Sequence, residues 1–160
     1  MKESQDQPEF RIEPLASQHD RAAFSCEDAP LEKYLWTQAR QDSDRKLAVV
    51  FILTPDGRTI AGYYCLSQYA VQAARLPKEI IKKLSKHHEI PAPLIGRLAR
   101  STAFKGQGLG EFLLMDALNK CLINSRRVAS WAVVVDAKNE KAVSFYKRYG
   151  FIELPDVPNR

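Results

Sequence analysis

Cysteine, histidine and glycine are scarce in this chain, at three, three and seven of its 160 residues, and each scarcity excludes a class of protein. Cys26, Cys65 and Cys121 lie far apart among apolar neighbours. That spacing argues against a disulfide framework and against a zinc site, and reads as reduced core thiols. His87 and His88 are adjacent, so a helix points them in different directions. They read as surface residues rather than as a metal pair, and no metal is expected. No stretch approaches the roughly 20 apolar residues that a membrane helix requires. The opening MKESQDQPEF is too polar for the apolar region of a signal peptide, so a cytoplasmic protein is expected. Internal repeats, low-complexity tracts and dividing linkers are absent, which leaves one domain over 1–160 as the expectation.

What is present is the composition of a globular protein, 45% hydrophobic and 27% charged. A chain of this length can bury one core without a disulfide or a metal. The net charge of +5 favours encounter with a polyanion, whether nucleic acid or a phosphate-bearing cofactor, without selecting either.

Periodicity and breakers outline the elements. A short strand is expected at Phe10–Ile12, then a break at Pro14 and a helix-like segment at Ser17–Phe24. Leu31, Tyr34, Leu35 and Ala39 recur at helical spacing behind Asp28 and Pro30, giving an amphipathic helix to about Gln41. Leu47–Thr54 and Thr59–Tyr69 read as two strands of a hairpin turned by Pro55-Asp56-Gly57. Pro77 opens a helix to about His88 that turns Ile80, Ile81 and Leu84 inward and Lys78, Lys82, Lys83 and Lys86 to water. A loop carrying Pro91 and Pro93 precedes the strand Leu94–Ala99, in which Gly96 marks a bulge or a close backbone approach. The helix Glu111–Ile123, the strand Trp131–Asp136 and a helix from Asn139 to Tyr149 follow; Gly150 stops that helix and Phe151–Leu154 starts a final strand. The order is of the mixed α/β (α+β) class.

The segment Lys105-Gly106-Gln107-Gly108-Leu109-Gly110 stands between a strand and a helix. Small residues there let backbone N–H groups approach an anion, and the helix N-terminus adds positive partial charge. Such a loop is also ordinary turn chemistry, so its surroundings decide. A dinucleotide fingerprint from Gly108 requires glycine at Leu113, and a nucleotide P-loop from Gly106 requires glycine at Glu111 followed by lysine. Neither is met.

The segment resembles the pyrophosphate loop of the GNAT acetyltransferase superfamily, Arg/Gln-x-x-Gly-x-Gly/Ala, with Lys105 departing at the first position. A second match, Asn139-x-x-Ala142-x-x-Phe145-Tyr146-Lys147-x-x-Gly150-Phe151, is similar to that superfamily's signature on its last helix. The resemblance implies a GNAT fold, with a mostly antiparallel central sheet splayed at its fourth strand and flanked by helices. Acetyl-CoA is then the cofactor, held by Arg97, Leu98, Ala99, the loop Lys105, Gly106, Gln107, Gly108, Leu109 and Gly110, and by Asn139 and Phe145. Ala142, Phe145, Tyr146 and Tyr149 also form a helical stripe of the kind that packs a core. Tyr146 differs in carrying a hydroxyl, and the resemblance places it beside the CoA sulfur as the general acid.

Four further features are similar to the tRNA-acetylating toxins of bacterial toxin–antitoxin pairs. They are Phe24-x-Cys26 before Leu31-x-x-Tyr34-Leu35, Gly62-Tyr63-Tyr64-x-Leu66-Ser67, Ile95-Gly96-Arg97-Leu98-Ala99-Arg100, and Val135-Asp136-Ala137. This implies acetylation of the α-amino group of aminoacyl-tRNA, a ribbon–helix–helix antitoxin partner and a homodimer. An α-amine with a pKa of about 7.7–8.0 is already partly neutral, so no dedicated base is required. Backbone N–H groups along Arg97–Ala99 are expected to hold the oxyanion. Arg100, Arg126, Arg127, Lys147 and Arg148 are expected to contribute a basic surface for tRNA, although each alone reads as a solvated charge. Toxins of this type continue past Pro155–Arg160 into another strand, so a shortened or missing final strand is expected. Two rivals share the cofactor motifs: a GNAT enzyme acting on a small amine, peptide or protein terminus, and a module that binds acyl-CoA without catalysis.

Overall fold

The structure is a computed structural model and describes residues 9–84 and 89–154. Its elements in chain order are β1 (Arg11–Pro14), α1 (Ala29–Thr37), α2 (Ala39–Asp44), β2 (Val49–Thr54), β3 (Gly62–Gln72), α3 (Lys78–Ile81), β4 (Glu89–Arg100), α4 (Leu109–Asn124), β5 (Val134–Val135) and α5 (Glu140–Arg148). The five strands form one sheet in the order β1-β2-β3-β4-β5. β1 and β2 are antiparallel, with Ile12 opposite Leu53. β4 and β5 are parallel, with Leu94 opposite Val134 and Ile95 opposite Val135, so the sheet is mixed.

The chain divides into two compact units, one made of the chain up to Cys65 together with Leu98–Asp116, the other of Leu66–Arg97 and the chain from Ala117 on. In the first unit, Leu35, Val50, Ile52 and Tyr63 are fully buried in a core with Phe24, Leu31 and Tyr34. Each such aliphatic side chain contributes roughly 1.5–3 kcal/mol by leaving water. Asp28 caps α1 by accepting from Leu31 N at 3.2 Å, with Pro30 in the first turn, as the sequence predicts. Gly62 is there for closeness: a methyl on it would stand 2.8 Å from Leu113 Cδ1 and 2.9 Å from the Ala99 carbonyl oxygen. Asp56 organises the hairpin turn, accepting from Arg58 N at 2.8 Å and from Thr59 N and Oγ1, both at 2.7 Å. These donors hold its carboxyl far below the usual carboxylate range.

In the second unit, Val71, Leu76, Ile90, Ala92 and Val134 form the core, with Ile80, Ile81 and Leu84 packed against it as expected. An apolar cavity of about 420 Å³ adjoins this core, lined among others by Val71, Leu76, Trp131, Tyr149 and Phe151. Among the described residues, no helix is long and apolar enough to cross a membrane.

Several boundaries differ from expectation. Ser17–Phe24 is a set of turns, not a helix. There the His19 side chain replaces helical bonding, its Nδ1 accepting from Ala16 N at 2.9 Å and its Nε2 lying 2.7 Å from Glu13 Oε1. The helix expected to reach Gln41 is two, broken at Gln38, where Tyr34 donates through its hydroxyl to Asp42 Oδ2 at 2.9 Å. Pro91 and Pro93 lie within β4 rather than in a loop. Pro91 joins the sheet by accepting from Trp131 N at 2.9 Å, a role that needs no N–H. The strand expected over Trp131–Asp136 shortens to Val134–Val135. The helix expected over 77–88 is ordered as α3 only to Ile81, and Lys86, His87 and His88 lie outside the described residues. Phe151–Leu154 runs as irregular chain; the strand expected there does not form, because Gly150 N and Phe151 N instead close the end of α5 on Lys147 O and Tyr146 O.

Candidate active site

One candidate binding feature lies in the first unit, where β4 ends. Ser101 N donates to Ala61 O at 2.8 Å, and Thr102 donates to Ser25 O through both its N, at 2.9 Å, and its Oγ1, at 3.2 Å. A 3-10 turn over Thr102–Phe104 then delivers the chain to Lys105–Gly108, all four residues exposed. Gly106 and Gly108 adopt positive φ, +83° and +68°, and a Cβ built on either meets nothing within 4 Å. A left-handed turn with open space above it is what a phosphate cradle of backbone N–H groups requires. Leu109, 4% exposed, pins the other end, and Gly110 already belongs to α4. α4 is 16 residues long, and its first N–H groups have no intrahelical partner, so its positive end faces the loop. The residues present therefore fit a pyrophosphate. Lys105 Nζ lies 3.0 Å from Glu27 Oε1.

Arg97 and Leu98 are half-buried in β4, and Ala99 is buried. Asp136 N donates to Ile95 O at 3.1 Å, just past the pairing of Ile95 with Val135, and β4 runs on to Arg100 while β5 is only Val134–Val135. Gly96 stands at that point, and a Cβ built on it likewise meets nothing within 4 Å.

A separate candidate feature lies in the second unit, on α5. Asn139 caps this helix, its Oδ1 accepting from Ala142 N at 2.8 Å. Tyr146 is 5% exposed and is packed edge-on by Phe145 and Phe151, with ring centroids 5.3 and 5.5 Å away. Burial, and secondarily the charge of Asp136, push its hydroxyl well above the ordinary tyrosine range. Tyr146 therefore keeps its proton at any physiological pH.

The loop residues Lys105–Gly110 thus stand together, as do Asn139, Phe145 and Tyr146. The basic residues fall on separate stretches of the chain. Arg126 and Arg127 are exposed in the turn after α4, Arg100 is half-buried, Lys147 Nζ lies 3.5 Å from Glu153 Oε1, and the Arg148 guanidinium lies 5.8 Å from the centre of the Phe145 ring. Sequence reasoning missed two features. The carboxylate of Asp136 acts on Tyr146 through space and leaves no local signal. The capping role of Asn139 was readable, since an Asn immediately before a helical run is a preferred N-cap. Cys65 and Cys121 are buried and Cys26 half-buried, all three as free thiols, and burial raises the Cys26 and Cys121 thiols. Among the described residues, no three His, Cys, Asp or Glu side chains gather as a metal site.

A family model for the acetyltransferase (GNAT) domain matches residues 87–159, a range that includes Lys105–Gly110 and Asn139–Tyr146. With the relatives that follow, the match is decisive: the chain belongs to the GNAT acetyltransferases, enzymes that use acetyl-CoA. It is 30% identical over 158 residues to the probable toxin TacT of Sinorhizobium fredii, covering 93% of this chain and 87% of that one. The structure superposes with a TM-score of 0.87 on the toxin AtaT complexed with acetyl-methionyl-tRNAfMet, at 32% identity, covering 94% of this chain and 91% of the other. It also matches a tyrosine-to-phenylalanine variant of AtaT bound to the C-terminus of the antitoxin AtaR and acetyl-CoA. That match has a TM-score of 0.77 and 30% identity, over 91% of this chain and 86% of the other.

Proposed function

We propose that this protein transfers acetyl from acetyl-CoA to the α-amino group of aminoacyl-tRNA and so halts translation as the toxin of a toxin–antitoxin pair. The observation that carries this reading is the 32% identity and 0.87 TM-score, over nearly the whole chain, to a toxin held in complex with its acetylated tRNA product. Acetyl-CoA supplies an activated thioester. Gly106, Gly108 and the first turn of α4 receive its pyrophosphate, with Lys105 adding charge. Arg97, Leu98 and Ala99 offer backbone N–H groups to the acetyl oxygen as the neutral amine attacks the carbonyl carbon. Tyr146 gives its proton to the sulfur as the C–S bond breaks, the acylated nitrogen loses one proton to water, and Tyr146 takes a proton back from solvent before the next turnover. Asn139 sets the start of the helix that carries Tyr146, and Phe145 packs its ring. Arg100, Arg126, Arg127, Lys147 and Arg148 attract the tRNA backbone through net positive charge.

The partner antitoxin is of the ribbon–helix–helix type, the enzyme works as a homodimer, and its place is the cytoplasm, where charged tRNA is found. In a reconstituted translation reaction, adding the protein with acetyl-CoA stops peptide synthesis, whereas the protein without acetyl-CoA leaves it running. Inhibition that needs no acetyl-CoA, or none at all with it, contradicts the proposal.

A further inference from the structure

Three carboxylates stand together at the start of α1, and two of them are spent on the backbone. Asp28 accepts from Leu31 N at 3.2 Å, and Glu32 from Cys26 N, also at 3.2 Å. The third, Glu27, faces Lys105, with Oε1 3.0 Å from Nζ. This contact is built rather than accidental. The segment bearing Glu27 is tied to the approach of the glycine loop by the two bonds from Thr102 to Ser25 O, and Cys26 Sγ donates to Asp28 O at 3.1 Å. Both side chains remain open to solvent, 64% exposed for Lys105 and 43% for Glu27, so a ligand can reach the ammonium.

We propose that Glu27 acts through Lys105 on cofactor exchange: it pairs with the ammonium in the free enzyme, competing with CoA for it, and yields it to a phosphate of CoA on binding. The inference rests on the reading of Lys105–Gly110 as the cofactor loop. An exposed pair of this kind contributes about 0.2–1 kcal/mol. A carboxylate beside the cradle also repels the incoming phosphates, through the same Coulomb interaction that favours its cation. Glu27 therefore lowers the affinity for CoA and speeds its departure, which matters where product release limits turnover.

Removing the charge while keeping the shape isolates this effect. In calorimetric titration with CoA, Glu27→Gln binds about two- to fivefold more tightly than the unaltered protein, the range that the pair energy allows. Pantetheine, which lacks the phosphates, competes equally well against both forms. Raising the salt concentration shrinks the difference, because screening weakens exposed charge interactions. Lys105→Ala weakens CoA binding, and adding Glu27→Gln to it restores less than Glu27→Gln gains alone. In turnover, Glu27→Gln lowers KM for acetyl-CoA, and kcat falls if release is slowed or stays unchanged if it is not limiting; a merely structural role would not tighten binding. CoA affinity that is unchanged or weaker in Glu27→Gln, or a gain that pantetheine shares, overturns the inference. If Lys105→Glu, which sets a negative charge opposite the phosphates, leaves CoA binding intact, the loop assignment itself fails, and this outcome is separable because it needs no acceptor tRNA.

Discussion

Replacing Tyr146 by phenylalanine removes one oxygen and leaves the packing of the ring in place. The side chain is 5% exposed, and its neighbours Phe145 and Phe151 touch the ring at centroid distances of 5.3 and 5.5 Å, contacts that a phenyl group preserves. The stability of the variant should therefore lie within about 1 kcal/mol of the parent, the net worth of a typical hydrogen bond. CoA binding should be unchanged, because the phosphate cradle lies elsewhere in the chain, at Lys105–Gly110. Turnover should fall by about 10²–10⁴, the usual contribution of a general acid, which is about 3–5 kcal/mol of barrier. The assay follows labelled acetyl onto charged tRNA at saturating acetyl-CoA, with melting temperature and CoA titration as controls. Turnover within threefold of the parent would refute the role of Tyr146, and a loss accompanied by unfolding or by lost CoA binding would refute the reasoning from packing. The pH dependence carries a second check. Burial, then the charge of Asp136, raise the Tyr146 hydroxyl, so activity should climb as the acceptor amine deprotonates at about pH 7.7–8.0 and show no alkaline limb from the acid below about pH 10.

Other perturbations should behave as follows. Because the native hydroxyl of Tyr146 ionises above the unfolded one, the native state holds its proton longer; stability should decline as pH rises above about 10 in the parent, and Tyr146→Phe should lack that part of the slope in denaturant titrations. Gly108→Ala forces a side chain into φ +68° with nothing in its way, so the fold should lose only about 1 kcal/mol while CoA binding weakens as the cradle distorts; unaltered CoA affinity would count against the cradle. Gly62→Ala places a methyl against Leu113 and the Ala99 carbonyl and should cost about 1–3 kcal/mol, read as a lowered denaturation midpoint. Asn139→Ala removes the cap of α5 and should cost about 1 kcal/mol, with turnover falling more than CoA binding. Asp56, whose native carboxyl lies below its unfolded value, supports the hairpin turn above about pH 4 and loses that support as pH falls further; Asp56→Ala should flatten the acid limb of stability.

The left-handed turn at Gly106 and Gly108 was legible because its demands are local. Positive φ at Gly106 and Gly108 is what a tight anion cradle asks of a sequence, and only glycine meets it without strain. The caps at Asp28 and Asn139 were written in the same local code, although only the first was read as a cap. What sequence could not disclose depends on partners far along the chain. Gly62 is dictated by Leu113 and Ala99, some fifty and thirty-seven positions away. The turns at Ser17–Phe24 exist because His19 binds Ala16 and Glu13 rather than its own helix. Pro91 and Pro93 look like breakers until Trp131 is seen donating to a proline carbonyl. The expected final strand fails for a nearer reason, the closure of α5 by Gly150 at φ +90° and Phe151.

The central claim, an acetyl group placed on the α-amine of an amino acid still esterified to tRNA, is tested most directly by chemical analysis of the product. Charged tRNA is incubated with the protein and labelled acetyl-CoA, the ester is cleaved with mild base, and the released amino acids are identified by mass spectrometry. N-acetylated amino acid carrying the label, formed with the unaltered protein and strongly reduced with Tyr146→Phe, is the predicted result. Unmodified amino acids from the tRNA, with label appearing only on free amines or peptides supplied in parallel, would contradict it.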